Sequence, residues 1–129
     1  MDSTHEPLTN LDKIRTQTQS DPGLMVDLLY IYLDQTPSLI NTMQVAVANG
    51  DWPLLRAAAH KIKPSFRIVG EAGNGEKIAK EIEQLANASI VSAGEIEPWL
   101  KKLNLLCGNI YRELNHELSV LEKMGFTRS

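Results

Sequence analysis

The residues best suited to chemistry in this sequence surround one histidine, His60. At about 100° per residue on a helical wheel, His60 lies about 140° from the apolar Leu55 and therefore points to solvent. Arg56 precedes His60 by four residues, and Lys63 and Arg67 follow it by three and seven, so all three share its face. The spacing predicts an exposed imidazole within a basic stripe.

This setting suits a phosphoryl-group acceptor, because a neutral imidazole is a good nucleophile toward phosphorus. Nearby cations disfavour the protonated ring, and they can then bind phosphate oxygens, lysine as a point charge and arginine as a bidentate donor. Ala57 and Pro64 are compact residues on the other side of His60. They would leave a low surface on which a large partner protein could approach the ring.

Two other interpretations of His60 fit part of this pattern. An exposed histidine among lysines and arginines is also common on an ordinary solvated helix face. However, segment 51–70 has one aspartate against four cations, whereas segment 71–97 has six glutamates against two lysines. The basic patch is therefore local, and it would attract an acidic partner. A hydrolase using His60 as general base fits less well, because no serine, cysteine or carboxylate completes a catalytic set on that face.

Helix-start and helix-end signals divide the chain into segments that could position the basic stripe. Asp51 is predicted to cap a helix over 52–69, and Gly70 marks its end. The glycine-rich segment 71–75 is predicted to be a turn. Apolar residues at helical spacing predict a core stripe, which consists of Leu55, Ala58, Ala59, Ile62, Phe66 and Val69.

The same signals predict helices throughout the chain. The Asp-Pro pair at 21–22 and the Thr-Pro pair at 36–37 each combine an N-cap residue with a proline at the first helical position. No segment shows sustained strand alternation. Amphipathic helices with short connections predict an all-α fold, an antiparallel four-helix bundle over about 36–124 with one or two additional N-terminal helices. The first predicted helix spans about 8–19 and the last about 95–124.

Length and composition fit a single helical domain over 1–129, with its core at about 8–124 and frayed ends at 1–7 and 125–129. A hydrophobic content of 43% permits a packed core, and a net charge of -3 argues against a general nucleic-acid binder. The sequence predicts no signal peptide. It also predicts no membrane helix, because such a helix needs about 18 apolar residues in a row and no stretch approaches this. We therefore expect a soluble chain that does not act at a membrane.

The single cysteine, Cys107, cannot form a disulfide within the chain and is expected in or near the core. This usage fits a reducing, cytoplasmic compartment. Of the other histidines, His5 is expected in a tail and His116 on the surface of the last helix. The three histidines lack metal-ligand spacing, so no metal site is predicted.

Around His60 the sequence resembles the histidine phosphotransfer (HPt) domains of multistep phosphorelays. The family motif is Ala-His-x-Leu-Lys-Gly, and segment 59–64 has Ala-His-Lys-Ile-Lys-Pro, with Gly70 ten residues after the histidine. The Asp-Pro pair, the Thr-Pro pair and Gly-Asp-Trp at 50–52 precede the motif in the order found in family members. The resemblance covers roughly 8–118, almost the whole chain.

The resemblance implies that His60 accepts a phosphoryl group at Nε2 from a receiver-domain aspartate and passes it to another receiver, with Lys63 assisting the phosphate. The partners would be the receiver domains of response regulators and hybrid histidine kinases. The chain would be a carrier without kinase activity, since it has no nucleotide-binding loop. The magnesium ion belongs to the receiver, so no metal or cofactor is expected. The alternative is a helical module that binds a receiver or kinase domain without carrying phosphate.

Two residues depart from the family pattern. Pro64 replaces the glycine after Lys63, and it lacks the N–H that would bond to the His60 carbonyl, so a kink or a loosened turn is expected there. Arg67 stands where the family often has a small residue. Arg67 is a candidate for a phosphate or partner contact. Arg56, on the basic stripe, and Lys61, next to His60, are candidates for the same contacts.

The remaining site predictions concern shape and assembly. Ala57 and Pro64 would permit close approach, and Gly70 would either do the same or end the helix. Because one bundle uses all the apolar stripes and the basic face is directed to a partner, a monomer is expected.

Overall fold

The computed structural model describes residues 7–127, and this part of the chain contains five α-helices. Helices α2 to α5 form a four-helix bundle in which each helix packs on the next and α5 closes against α2, while α1 packs on α2. The prediction of an all-α bundle is confirmed, with one additional N-terminal helix. The helices are α1 (Leu11–Thr18), α2 (Pro22–Asn49), α3 (Trp52–Ile68), α4 (Asn74–Ala86) and α5 (Ala93–Lys123).

Helix α2 is continuous, so the predicted helix start at Thr36-Pro37 was wrong. Pro37 lies inside the helix, where a proline costs about 3 kcal/mol through its missing N–H and its clash with the preceding turn. Buried residues keep helical spacing on both sides of Pro37, and each large one contributes roughly 1.5–3 kcal/mol. Burial against α3 and α5 therefore outweighs the local cost of the proline. These residues are Met25, Val26, Leu29, Tyr32, Leu33, Thr36, Ile40, Met43 and Ala46.

Helix α3 follows the sequence prediction closely. Asp51 is its N-cap, and the aspartate side chain accepts a 3.2 Å hydrogen bond from the backbone N–H of Leu54. All six residues of the predicted core stripe are buried, which turns the opposite face of the helix outward. The helix continues past Pro64 to Ile68, so the predicted loosening at the proline does not end it.

The segment before α1 is held in place by α5. Helix α1 begins after the N-cap Asn10, later than predicted. The backbone N–H groups of Leu8 and Thr9 each donate a 2.9 Å hydrogen bond to the Glu113 carboxylate, and that of Asn10 donates to the Val69 carbonyl at 3.0 Å. Residues 8–10 therefore pack as a non-helical segment before α1.

Two residues beyond α5 keep contact with the bundle. Gly125 adopts a left-handed conformation with φ of 99°, and the backbone N–H of Phe126 donates to the Leu121 carbonyl. The Phe126 ring then packs against the core. Fraying of residues 125–129 stays a prediction. Residues 1–6, which include His5, and residues 128–129 lie outside the described part.

The interior of the bundle contains Cys107, as predicted. Burial raises the pKa of its thiol to about 12, so the thiol stays protonated at neutral pH. Over residues 7–127, none of the helices combines the length and the hydropathy that a membrane span requires.

Candidate functional site

His60 lies on the exposed face of α3, next to α4. Its side chain is 71% exposed, as the helical wheel predicted. The short connection after α3 returns the chain as α4, which packs alongside α3. A surface groove between the two helices is lined by Arg56, Ala57, His60, Glu83, Gln84 and Asn87. The imidazole is thus accessible to a large partner and is flanked by polar side chains of a second helix.

Glu83 of α4 joins two residues of α3 through its two carboxylate oxygens. Oε2 lies 3.1 Å from Nδ1 of His60, and Oε1 accepts a 2.7 Å hydrogen bond from Nζ of Lys63. An ionised carboxylate can only accept hydrogen bonds, so Nδ1 must carry a proton in this contact. In the neutral ring the lone pair is then on Nε2, at the opposite edge of the imidazole.

Lys63 sets the electrostatic environment of Glu83. The hydrogen bond from Lys63 and its positive charge hold the pKa of the Glu83 carboxyl below its ordinary value, against a smaller opposing effect of burial. Because folding lowers the pKa of Glu83, the pair with Lys63 stabilises the fold at pH values above the pKa that Glu83 has in the unfolded chain. This contribution is lost as the pH falls through the lower pKa of Glu83 in the folded state. Since both side chains are partly exposed, the contribution is at most about 1 kcal/mol.

An NMR titration of the Glu83 carboxyl carbon should therefore give a midpoint below the ordinary glutamate pKa of about 4.3. Lys63→Met should return the midpoint toward the ordinary value, because it removes both the donor and the charge. Lys61→Met is the matched control and should leave the midpoint where it is. A midpoint that Lys63→Met leaves unchanged would show that Lys63 does not cause the shift.

One carboxylate and one carbonyl of α4 also accept hydrogen bonds from the two arginines of the basic stripe. Nε of Arg67 donates to Oε2 of Glu76 at 2.9 Å, and Nη1 of Arg56 donates to the Ala86 carbonyl at 2.9 Å. Arg56 of α3 thus donates to one of the carbonyls at the C-terminus of α4 that have no partner within their own helix. Two of the three cations of the predicted basic stripe, Lys63 and Arg67, are therefore paired with carboxylates of α4.

The other predicted site residues are distributed around His60. Lys61 is exposed, and within residues 7–127 no hydrogen bond or ion pair engages its ammonium group. Ala57 and Pro64 are exposed and compact, consistent with a low surface beside the ring. Gly70 has φ of 69° just after α3, and a Cβ there would clash with Asn10, so its close approach is to this chain's own backbone.

Sequence reasoning missed Glu83 and Glu76, which it counted as part of the acidic segment 71–97. The two residues are seven apart and therefore lie on one side of α4. In α3, Arg56 and Lys63 have the same spacing, and so do His60 and Arg67. Two antiparallel helices place such faces opposite each other. The matching seven-residue spacings in α3 and α4 were therefore the signal in the sequence that these side chains could meet. The position of Glu83 also shows that a carboxylate lies beside His60, although the sequence indicated none on that face of α3.

Comparison with protein-family models completes the description of the chain. The model described as Hpt domain matches residues 27–123, which include all of α3, α4 and α5 and most of α2. No curated protein and no solved structure matched in the corresponding comparisons. Hpt domains are helical phosphocarrier modules that act with receiver domains in two-component phosphorelays. Because the match covers well over half of the 129 residues, the chain belongs to the Hpt domain family.

Proposed function

We propose that His60 is the phosphoryl carrier of this Hpt domain, and that it accepts the group from a receiver-domain aspartate and passes it to a second receiver. One observation carries the proposal. Nδ1 of His60 lies 3.1 Å from the Glu83 carboxylate, within a side chain that is 71% exposed. The carboxylate fixes the ring and its proton at Nδ1, which leaves Nε2 as the nucleophile.

The transfer step follows from this arrangement. The Nε2 lone pair attacks phosphorus of the aspartyl phosphate, and the bond between phosphorus and the carboxylate oxygen breaks with its electron pair going to the aspartate. Reversal of the same step at another receiver regenerates the free imidazole. Loose phosphoryl transfer of this kind depends mainly on positioning and charge, which a rigid helix face can supply.

Lys63 is proposed to assist by binding phosphoryl oxygens. It lies one helical turn after His60 and already contacts the carboxylate that touches the ring. Lys61, with its exposed and unengaged ammonium group, is the next candidate for a phosphate or partner contact. Arg56 and Arg67 would have to leave their acceptors on α4 to take such a role.

Ala57 and Pro64 support the docking of a receiver. Both are exposed beside His60, and neither side chain extends far from the helix. A receiver aspartate is part of a folded domain, so its phosphoryl group can reach Nε2 only where the surrounding surface is low. An exposed helix face with compact residues meets this requirement.

A transfer assay tests the proposal against the alternative of a module that binds receivers without carrying phosphate. Receiver domains of the source organism would be phosphorylated with a radiolabelled small-molecule donor, freed of the donor and incubated with the chain. We expect label to move to the chain from at least one receiver, to be acid-labile and base-stable, and to map to His60. Complex formation with no transferred label from any competent receiver would establish the alternative.

A further inference from the structure

Resting on the proposed function, we propose that Glu83 destabilises the phosphorylated form of His60, so that the domain releases its phosphoryl group readily to an acceptor instead of storing it. The carboxylate has two contacts with different consequences. Its contact with Nδ1 orients the free ring for attack. Its contact with Lys63 occupies the cation that the phosphoryl group needs, and its charge lies across the imidazole ring from the position that the group would take.

The contact with Lys63 stabilises the unphosphorylated state. Nζ and Oε1 are 2.7 Å apart, and the two side chains are only 20% and 27% exposed, so solvent screens this pair less than a fully exposed one. A phosphoryl group on Nε2 can gain Lys63 only if this pair breaks or is shared. The free energy of the pair therefore opposes phosphorylation.

Two other cations of α3 already have acceptors on α4. Arg67 is paired with Glu76, and Arg56 donates to the Ala86 carbonyl. A phosphoryl group on His60 would add up to two negative charges on the other side of the imidazole ring from the Glu83 carboxylate. In a partly exposed site, like charges at that separation repel by an amount equivalent to about a tenfold change in an equilibrium constant.

The ring proton adds to this effect. Once Nε2 carries phosphorus, a neutral ring has no proton on Nδ1, and the hydrogen bond to Glu83 is lost. The carboxylate then faces a lone pair. A glutamine at this position would lack the negative charge, and its amide could donate to Nδ1 instead. Glu83→Gln is therefore the substitution that separates the charge of Glu83 from its shape.

The experiment measures the phosphorylation equilibrium with phosphoramidate, which needs no receiver. Nε2 attacks phosphorus, the P–N bond of phosphoramidate breaks, the electron pair leaves with ammonia, and the Nδ1 proton passes to solvent. A His5→Gln/His116→Gln background makes His60 the sole histidine. Phosphorus NMR would give the ratio of phosphorylated to free His60 at fixed phosphoramidate and ammonium, approached from both directions at about pH 8.5, above the ordinary titration range of imidazole.

Glu83→Gln should raise this ratio about tenfold. Glu81→Gln is the matched control, since it removes the same charge from α4 at a position where the described residues show no pairing with a cation of α3, and it should change the ratio less than twofold. In a Lys63→Met background the gain from Glu83→Gln should shrink, because no cation is released. An equal or lower ratio in Glu83→Gln, or an undiminished gain without Lys63, would overturn the inference.

The same experiment separates this inference from the proposed function. Should neither phosphoramidate nor any phosphorylated receiver label His60 in the parent chain, the proposed function fails, and the inference fails with it. Should His60 be labelled equally in the parent chain and in Glu83→Gln, the carrier role stands and only the role of Glu83 is refuted.

Discussion

His60→Gln is expected to lower phosphoryl acceptance from receivers by at least about 1000-fold, since removing a nucleophile eliminates most of the catalysed step. Glutamine has a similar size and can still hydrogen-bond to Glu83, but its amide nitrogen is not nucleophilic. The side chain is 71% exposed and lies outside the core, so the fold should be retained. Its effect on stability should stay within about 0.5 kcal/mol, as for other surface substitutions.

The measurement is the radiolabel transfer assay together with thermal unfolding followed by circular dichroism. His116→Gln is the matched control, because His116 is exposed on α5 and undergoes the same chemical change. It should transfer at the rate of the parent chain. Labelling of the His60→Gln chain at the parental level, with the fold intact, would place the phosphorylated residue elsewhere.

The sequence was sufficient to predict α3, because the apolar periodicity of this helix and the signals at its two ends agree. The N-cap Asp51, the apolar stripe and the following glycine all indicate the same helix. At Pro37 they disagree: a local start signal coincides with an apolar stripe that continues unbroken through it. The start signal acts only on one turn, whereas the stripe is buried along the whole bundle. Tertiary burial therefore decided the structure of α2, and the local signal misled the prediction.

The segment at 8–10 and Gly75 show what one-dimensional patterns could not predict. Leu8 fits the apolar spacing of a helix, yet its backbone N–H donates to Glu113, more than 100 residues away in sequence. Gly75 was assigned to a turn because it follows other glycines, but it lies buried in the first turn of α4. Both outcomes depend on contacts between distant segments.

The site was predictable where it depends on one helix and not where it depends on two. The exposure of His60 and the positions of its basic neighbours follow from the period of α3. The hydrogen bond from Nδ1 to Glu83 and the pairing of Arg67 with Glu76 depend on how α4 is aligned with α3. That alignment depends in part on the close approach of Gly75 to the buried Phe66 ring, at the end of the helix pair nearer their connection.

Gly75→Ala is accordingly expected to destabilise the fold by about 3 kcal/mol, the upper range for overpacking a core. A Cβ at this position would overlap Cδ1 and Cε1 of the Phe66 ring, which is fully buried and cannot swing into solvent. Either the ring or the start of α4 must move. Movement of α4 would also carry Glu83 away from His60. The midpoint of thermal unfolding should fall by about 10 °C.

Gly108→Ala supplies the matched control, because Gly108 lies inside α5 and a Cβ there would meet nothing within 4 Å. The same substitution should stabilise the protein by about 0.5–1 kcal/mol, the difference in helix propensity between the two residues. In a Phe66→Leu background, Gly75→Ala should cost less, since leucine has no ring carbons to overlap. If both glycine substitutions proved stabilising, α4 would have to pack against α3 more loosely than the structure shows, and the alignment that joins Glu83 to His60 would need another cause.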